Sequence, residues 1–208
     1  MDEQTSQTPV VSINPCKIEE EFVEQAASAL KEGSIVIFPT DTVYGIGMLA
    51  TPEVDPRVLF ASKNRPENKN LPLLIANLKT FDLMSADTPQ YAKELAMDHW
   101  PGPLTLVVKA SDAVPEQLRA PDGSIALRIP AHDVTLALLK AAGTPIITSS
   151  ANMSGEEPAH SVPELAEELK RSVDLIIDGG DLPGGAASTV VSCLEEEPHV
   201  LRPGPITL

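Results

Sequence analysis

The chain has 208 residues, of which 42% are hydrophobic and 22% are charged, a balance that excludes a mostly disordered polypeptide. Thirty acidic residues against fifteen basic ones give a net charge of -15, which disfavours a general nucleic-acid binder because such a chain repels phosphate at long range. No apolar run approaches the roughly 20 residues of a membrane span, and the acidic start at 1–4 is unlike a secretory signal, so we expect a cytoplasmic protein without a membrane partner.

A polar, aperiodic segment opens the chain, and we expect residues 1–16 to form a loose tail or an edge extension of a domain at 17–208. Helical spacing of apolar residues, together with start and stop signals, predicts helices over 19–31, 51–63, 88–99, 133–142 and 161–171. Short apolar and β-branched runs predict strands over 34–38, 71–76, 104–109, 124–129, 145–148, 173–177, 189–194 and 200–202. Because strands and helices alternate along much of the chain, the pattern favours a single α/β domain with a sheet of mixed direction.

Two of the predicted helix starts depend on specific residues. Thr51 with Pro52 predicts an N-cap followed by a proline at the first helical position. Ser161 with Glu164 three residues later has the pattern of a capping box. His132 is predicted to sit at the start of the helix over 133–142.

Gly45 and Gly47 formally fit the dinucleotide-binding pattern G-x-G-x-x-A over 45–50. That site requires the glycines to join a strand directly to a helix whose N-terminus meets the pyrophosphate. Here residues 39–44 separate the glycines from the preceding strand, and the next predicted helix starts too late. We interpret them instead as close-packed glycines within a strand.

The sequence offers no spacing typical of a metal site. The four histidines are far apart, and Cys16 and Cys193 form no CxxC pair and are expected to stay reduced. The P-loop pattern and the G-x-S-x-G nucleophile elbow are also missing. We therefore do not expect Ser149 or Ser150 to act as a covalent nucleophile, since neither has a neighbouring base.

Three polar segments are candidate binding sites on local grounds. Lys63 and Arg65 follow a predicted helix and precede a proline, a pattern that suits either a polyanion site or an exposed basic turn. The hydroxyl and amide side chains of 148–152 follow a predicted strand, where they suit ligand binding or a capped turn equally. Arg128 ends another strand and needs a partner, for which a ligand carboxylate is a natural choice.

Seven motifs stand in one order between Gly33 and Gly204, and together they resemble the signatures of the YrdC-domain family. They are PTDTVYG at 39–45, KNRP at 63–66 followed by LPL at 71–73, WPGPLT at 100–105, RIP at 128–130, SSANMSG at 149–155, STV at 188–190 and LRPG at 201–204. The resemblance implies a single α/β domain in which helices flank a twisted mixed sheet around a concave cavity. Because the chain stops soon after the last motif, we expect the single-domain form of the family.

The resemblance also implies an activity, the synthesis of threonylcarbamoyl-AMP and pyrophosphate from L-threonine, bicarbonate or CO2, and ATP. Such an enzyme is a nucleotidyltransferase, and its product is used to modify tRNA. A second enzyme carries out the transfer to tRNA, so we expect a hand-off to that transferase and weak or absent tRNA binding by this chain.

Site residues follow from the matched motifs. The resemblance implies that ATP binds Lys63, Arg65, Ser124, Ser150, Asn152 and Arg202, with Lys63 and Arg65 as the catalytic pair. It implies that L-threonine binds Thr40, Arg128, Thr148 and Ser188, with Arg128 on the carboxylate. Mg2+ is expected as the cofactor, bound through the ATP phosphates and without protein ligands.

Two other functions compete with this one. A paralogue could keep the fold and use another acyl acceptor or hydrolyse the adenylate, since Arg128 suits any amino-acid carboxylate. An RNA-binding module could use the same basic cavity, although the net charge of -15 argues against it.

Overall fold

The structure, a computed structural model, describes residues 7–63 and 71–208, and in these ranges ten β-strands form one mixed sheet. The strands are β1 Val10–Ser12, β2 Val36–Phe38, β3 Gly45–Leu49, β4 Leu73–Leu74, β5 Leu104–Lys109, β6 Ser124–Arg128, β7 Ile146–Ser150, β8 Leu175–Asp178, β9 Thr189–Ser192 and β10 His199–Arg202. The α-helices are α1 Glu20–Lys31, α2 Arg57–Ser62, α3 Leu78–Met84, α4 Gln90–His99, α5 Asp133–Ala142 and α6 Glu167–Arg171. The predicted fold class, a single α/β domain with a mixed sheet, is confirmed.

The strand order across the sheet is β1-β8-β2-β3-β7-β4-β6-β5-β9-β10. The first half runs from β1 to β7, and the second runs from β6 to β10. Between them lies β4, which has only two residues and pairs with β6 in parallel and with β7 antiparallel. The shortest strand of the sheet therefore joins its two halves.

Successive residues of a strand point to opposite faces, and this alternation decides where the site can form. In β6, Ile125 and Leu127 pack into the larger hydrophobic core, whereas Ser124, Ala126 and Arg128 point to the other face. On that other face, α1 and α5 cover only the half of the sheet around β2, β3, β7 and β8. The face of the second half is thus left open for a cavity.

The two glycines of β3 confirm the interpretation as close-packed strand glycines. Gly47 pairs with Val36 on one side and with Thr148 on the other. A Cβ atom at Gly47 would lie 2.4 Å from the carbonyl oxygen of Ile147, so no larger residue fits without moving the backbone. The glycines form a strand and do not open a helix, which contradicts a dinucleotide-binding turn.

The predicted helix start at Thr51 and Pro52 is wrong. Residues 51–56 form turns, and α2 begins only after Pro56, with the Asp55 carboxylate accepting from the backbone N–H of Arg57 at 2.9 Å. Proline disfavours helical geometry in the residue before it, so Asp55 cannot continue a helix into Pro56. The helix is therefore shorter at its start than predicted.

The predicted capping box at Ser161 is also wrong. Glu164 accepts from the backbone N–H of His160 at 2.7 Å, and the Ser161 side chain makes no cap hydrogen bond. Leu165 and the residue after it are extended, so the predicted helix divides into a 3-10 turn and the five-residue α6. His132, in contrast, sits at the N-cap of α5 as predicted.

Some smaller elements differ from the sequence prediction. Residues 10–12 form β1 at the edge of the sheet, paired with β8, which corresponds to the edge extension rather than to a loose tail. Helix α3 was not predicted, and its start is capped by the Asn77 side chain. Among the described helices, none is both long enough and apolar enough to cross a membrane.

Candidate functional site

A cavity of about 420 Å³ lies on the open face of the sheet, over its second half and the adjoining ends of β3 and β7. Of the ten predicted site residues, seven line it: Thr40, Ser124, Arg128, Thr148, Ser150, Ser188 and Arg202. Lys63 and Asn152 lie beside it and contact Ser150. Arg65 lies outside the described residues. The sequence motifs, which are spread over more than 160 positions, therefore converge on one cavity.

The two ends of the cavity differ in chemistry. At one end the lining is rich in hydroxyl groups, from Thr40 and Thr42 on the loop before β3 and from residues 148–150 on β7. At the other end Val190, Leu194 and Leu201 supply an apolar wall. A ligand with a polar, charged part and a flat or apolar part matches this division.

Arg128 projects from the end of β6 and is buried, with three protein partners. Its Nε donates to the carbonyl of Gly102 at 3.0 Å, and Nη1 donates to Thr42 Oγ1 at 3.2 Å. Its Nη2 donates to Asp41 Oδ1 at 2.6 Å, and this ion pair is buried, with side-chain exposures of 8% and 12%. Burial lowers the pKa of the Arg128 guanidinium, and the charge of Asp41 opposes that shift.

Asp41 was not identified as a site residue from the sequence. It stands inside the motif at 39–45. The sequence signal that could have identified it is that a buried arginine needs an anionic partner. From the sequence, only a ligand carboxylate was expected as the partner of Arg128. The structure shows that Asp41 already partners Arg128, and that Asp41 itself does not line the cavity.

Thr40 shapes the loop that carries Asp41. Its hydroxyl donates to the carbonyl of Val43 at 2.6 Å and accepts from the backbone N–H groups of Thr42 and Val43. It also lies 3.1 Å from Thr42 Oγ1, which in turn contacts Arg128. Thr40 therefore lines the cavity while its hydroxyl hydrogen is used within the loop.

Tyr44 anchors the start of β3 to the loop that follows β8. Its hydroxyl donates to the carbonyl of Gly180 at 2.8 Å and accepts from the backbone N–H of Gly179 at 3.1 Å. Burial raises the pKa of this phenol to about 12, with a smaller contribution from the negative charge of Asp178. These bonds hold the start of the glycine-containing loop that leads to Ser188.

Lys63 is the C-cap of α2 and is buried, with 2% exposure. Its ammonium donates to Ser149 Oγ at 2.9 Å, to Asn152 Oδ1 at 3.3 Å and to the carbonyl of Ser150. The backbone also connects the two segments, because the N–H of Ser154 donates to the Lys63 carbonyl at 3.1 Å. Lys63 thus holds the end of α2 against the segment that follows β7.

Asn152 organises that segment. Its amide Nδ2 donates to the carbonyls of Met153 at 3.0 Å and Glu156 at 2.6 Å, while Oδ1 accepts from Ser150 Oγ at 2.5 Å. Both N–H groups are therefore engaged within the loop. A ligand contact through this amide requires one of these bonds to be exchanged.

Ser188 is the point of contact between the residues predicted to bind threonine and those predicted to bind ATP. Arg202 donates to the carbonyl of Ser188 from Nε at 3.1 Å and from Nη2 at 2.7 Å, and to Ser188 Oγ at 3.1 Å. Thr105 Oγ1 lies 2.8 Å from Ser188 Oγ. Because a guanidinium only donates, Ser188 Oγ accepts from Arg202 and its own hydrogen is free to point to Thr105 or to a ligand. Thr105 also lines the cavity and was not predicted.

The cavity has little to offer a metal ion directly. Asp122 is the only carboxylate among its described lining residues, and its Oδ1 accepts from the backbone N–H of Ser124 at 3.0 Å. Within 7–63 and 71–208, no three His, Cys, Asp or Glu side chains are grouped as metal ligands. A divalent ion here would need most of its ligands from a bound substrate.

Residues 28–204 match the family model Sua5_yciO_yrdC, described as telomere recombination. The chain is 38% identical to a threonylcarbamoyl-AMP synthase of Pyrococcus abyssi over 92% of its length, and 37% identical to one of Bacillus subtilis over 89%. It covers 56% and 54% of those proteins, so it spans about half of their length. The crystal structure of P. abyssi Sua5 complexed with L-threonine superposes with a TM-score of 0.89 at 37% identity, covering 95% of this chain and 58% of the other.

Proposed function

The chain belongs to the Sua5/YciO/YrdC family, and from this premise we propose that it is a threonylcarbamoyl-AMP synthase. The observation that carries the proposal is the convergence of seven predicted ligand residues on one cavity with a buried arginine at its hydroxyl-rich end. The names of the synthases in P. abyssi and B. subtilis, and the threonine bound to P. abyssi Sua5, support the same assignment.

We assign L-threonine to the hydroxyl-rich end. Arg128 holds its carboxylate, because a guanidinium binds a carboxylate through two parallel hydrogen bonds. Thr40, Thr148 and Ser188 surround the same region and orient the rest of the amino acid. Burial strengthens these interactions, since the surrounding medium screens charge less than bulk water does.

We assign ATP to the remaining predicted residues. Lys63 and Asn152 lie beside the cavity in contact with Ser150, and we assign the triphosphate to these three residues and to Arg65. Ser124 and Arg202 contact the nucleoside part, next to the apolar wall. Mg2+ would be held mainly by the phosphate oxygens of ATP rather than by the described residues, and it would supply charge neutralisation to the triphosphate.

The chemistry then needs positioning rather than a covalent nucleophile. The threonine nitrogen attacks CO2 and loses a proton, or attacks bicarbonate with the loss of water, and either route gives a carbamate. A carbamate oxygen attacks the α-phosphorus of ATP, and the bond to the bridging oxygen of pyrophosphate breaks. Holding the reactants together in a confined cavity limits hydrolysis of the unstable carbamate and lowers the entropic barrier of the second step.

The proposal extends to the place of the enzyme in the cell. We place it in the cytoplasm as a nucleotidyltransferase of tRNA modification, with its product passed to a transferase that acts on tRNA. The net charge of -15 favours weak or absent binding of tRNA by this chain itself.

The experiment measures pyrophosphate release with ATP, Mg2+ and bicarbonate, with and without L-threonine. Release that requires both threonine and bicarbonate supports the synthase. Nucleotide binding without that dependence rejects threonine as the acceptor and favours a paralogue with another acyl acceptor, which a screen of other amino acids would identify. Salt-sensitive tRNA binding without any pyrophosphate release would favour the RNA-binding alternative.

A further inference from the structure

Arg128 reaches the cavity with its orientation already fixed by protein groups. Each of its three guanidinium nitrogens has one partner: Nε the carbonyl of Gly102, Nη1 the hydroxyl of Thr42 and Nη2 the carboxylate of Asp41. An arginine has five N–H hydrogens, so two of them, one on each terminal nitrogen, have no partner among the described residues. The two terminal nitrogens of a guanidinium match the spacing of the two oxygens of a carboxylate, and each of them keeps one N–H for that purpose.

We propose that Asp41 is the positioning residue of the amino-acid site, acting on the substrate through Arg128. The inference rests on the proposed function in one respect, because it takes Arg128 as the anchor of an amino-acid carboxylate. It goes further in assigning a role to a carboxylate that lies outside the cavity lining.

The burial of Asp41 supports a role through Arg128 over a direct contact with substrate. Its side chain is only 12% exposed, and its 2.6 Å bond uses Oδ1. The second oxygen, Oδ2, is buried and has no hydrogen-bond partner within the described part of the chain. A carboxylate meant to bind the substrate ammonium would be expected among the residues that line the cavity.

Stability alone does not explain such a pair. A buried ion pair loses hydration on both partners, and its attraction often does no more than offset that loss. Because only one oxygen of the Asp41 carboxylate is hydrogen-bonded among the described residues, the pair contributes still less to the stability of the fold. What the pair provides is a single orientation of a side chain with many rotamers, fixed before the ligand arrives.

The pair also limits what the site accepts. Because Asp41 offsets the charge of Arg128, the pair has no net charge, and binding depends on the geometry of the two remaining N–H groups rather than on long-range attraction. A zwitterionic amino acid with an uncharged side chain suits such a site. A ligand with a second carboxylate, such as aspartate or glutamate, would also face Asp41 as a like charge.

The test uses Asp41→Ala and Asp41→Asn in the full chain, with threonine affinity measured by calorimetry alongside pyrophosphate release. We expect Asp41→Ala to raise the threonine Kd and KM about 10- to 100-fold and to leave the KM for ATP within about twofold. Asp41→Asn keeps an acceptor for Nη2 and should lose less. A uniform loss of ATP and threonine binding would indicate a merely structural role and reject the proposal.

Asp133→Asn is the matched control. Burial lowers the pKa of His132, and the negative charges of Asp41 and Asp133 both oppose that shift, so Asp133 contributes negative charge to the same region without pairing with Arg128. This variant removes one negative charge and should leave threonine binding unchanged. An equal loss in both variants would show that general charge, and not the orientation of Arg128, is what matters.

A double-mutant cycle separates positioning from direct contact. If Asp41 acts only through Arg128, then Asp41→Asn should cost nothing further in the Arg128→Met background. The double variant also carries no unpaired buried charge, so it keeps the proposal testable if Asp41→Ala fails to fold. An additional tenfold loss of threonine affinity in the double variant would show that Asp41 touches the substrate itself.

Outcomes for the wild type distinguish the two proposals. If it binds an amino acid but releases no pyrophosphate, the synthase is rejected, and the Asp41 variants still test positioning through binding of that amino acid. If it makes the adenylate and Asp41→Ala binds threonine as the wild type does, only the positioning role is rejected. If it binds no amino acid at all, Arg128 anchors no carboxylate and both proposals fail.

Discussion

The Lys63 ammonium donates to Ser149 Oγ at 2.9 Å, which joins the end of α2 to the end of β7 across 86 positions of the chain. A buried ammonium needs acceptors, and this one finds them in the segment that we assign to the triphosphate. We therefore expect Lys63 to have two roles. It holds the segment that follows β7 in place, and it supplies positive charge to the triphosphate.

Replacing Lys63 removes both contributions. We expect Lys63→Ala to lower kcat/KM for pyrophosphate release about 30- to 150-fold, which corresponds to the loss of a charge-assisted contact of about 2–3 kcal/mol. Arg65→Ala is expected to act similarly. Lys109→Ala is the control, because Lys109 is exposed and pairs only with the exposed Asp87. Wild-type rates in Lys63→Ala would count against that assignment of the triphosphate.

The hydroxyl of Thr105 is expected to matter through Ser188. Thr105→Val removes the partner 2.8 Å from Ser188 Oγ and leaves the shape of the side chain nearly unchanged. The loss of one neutral hydrogen bond, about 1 kcal/mol, should raise the KM for threonine roughly fivefold. Thr105→Ser keeps the hydroxyl and should restore the wild-type value. Steady-state kinetics at saturating ATP measure both, and equal KM values in the two variants would contradict the link.

Gly47 is expected to tolerate no side chain. In Gly47→Ala the new Cβ would meet the Ile147 carbonyl at 2.4 Å, so neighbouring strands must move apart. Overpacking of this kind costs about 1–3 kcal/mol, which lowers Tm by roughly 3–10 °C for a chain of this size. Gly143→Ala provides the comparison, since its Cβ meets nothing within 4 Å and only the positive φ of 72° is strained. Thermal unfolding followed by circular dichroism should give the larger loss for Gly47→Ala.

Alkaline pH should expose the contribution of Tyr44. Its pKa is about 12 in the folded protein, against 10.0 for an ordinary tyrosine, so the folded state favours the neutral phenol. The corresponding stability is complete below pH 10 and is lost as the pH rises from about 10 to 12, where the unfolded chain ionises first. Denaturant unfolding across that range should show a smaller loss in Tyr44→Phe than in the wild type, and part of the loss should remain because burial also raises the pKa of the Cys193 thiol to about 11. A loss of the same size in Tyr44→Phe would assign it to other groups.

The elements that the sequence predicted well have a local apolar pattern that ends at a clear stop signal. The helix over 133–142 was predicted to its last residue, because its apolar spacing stops at Gly143, which adopts the left-handed conformation of a helix C-cap. The helix predicted from Thr51 was wrong because the restriction that Pro56 places on Asp55 outweighs a favourable cap. The exposed β1 has no burial pattern of its own, and only its pairing with β8 makes it a strand.

The sequence predicted which residues belong to the site, but it did not predict the hydrogen bonds and ion pairs between them. The motifs indicate Arg128 as a ligand residue, and the structure places it on the cavity. Its pairing with Asp41 joins residues 87 positions apart, and nothing local marks which acid a buried arginine will meet. Thr105 was also missed. Only the alternation of side chains along its strand turns it away from the core and into the cavity lining.

The two-residue strand β4 has a consequence for how the domain responds to its ligands. The cavity spans the seam that β4 forms, with Arg128 on one side and Thr148 on the other, and Leu74 of β4 itself in its wall. Because β4 pairs only two of its residues with β6 and two with β7, a molecule seated in the cavity contacts both halves of the sheet beside its shortest strand and should act as a clamp on them. Occupancy should then slow amide hydrogen exchange in β4, β6 and β7 together, including at positions the ligand never touches.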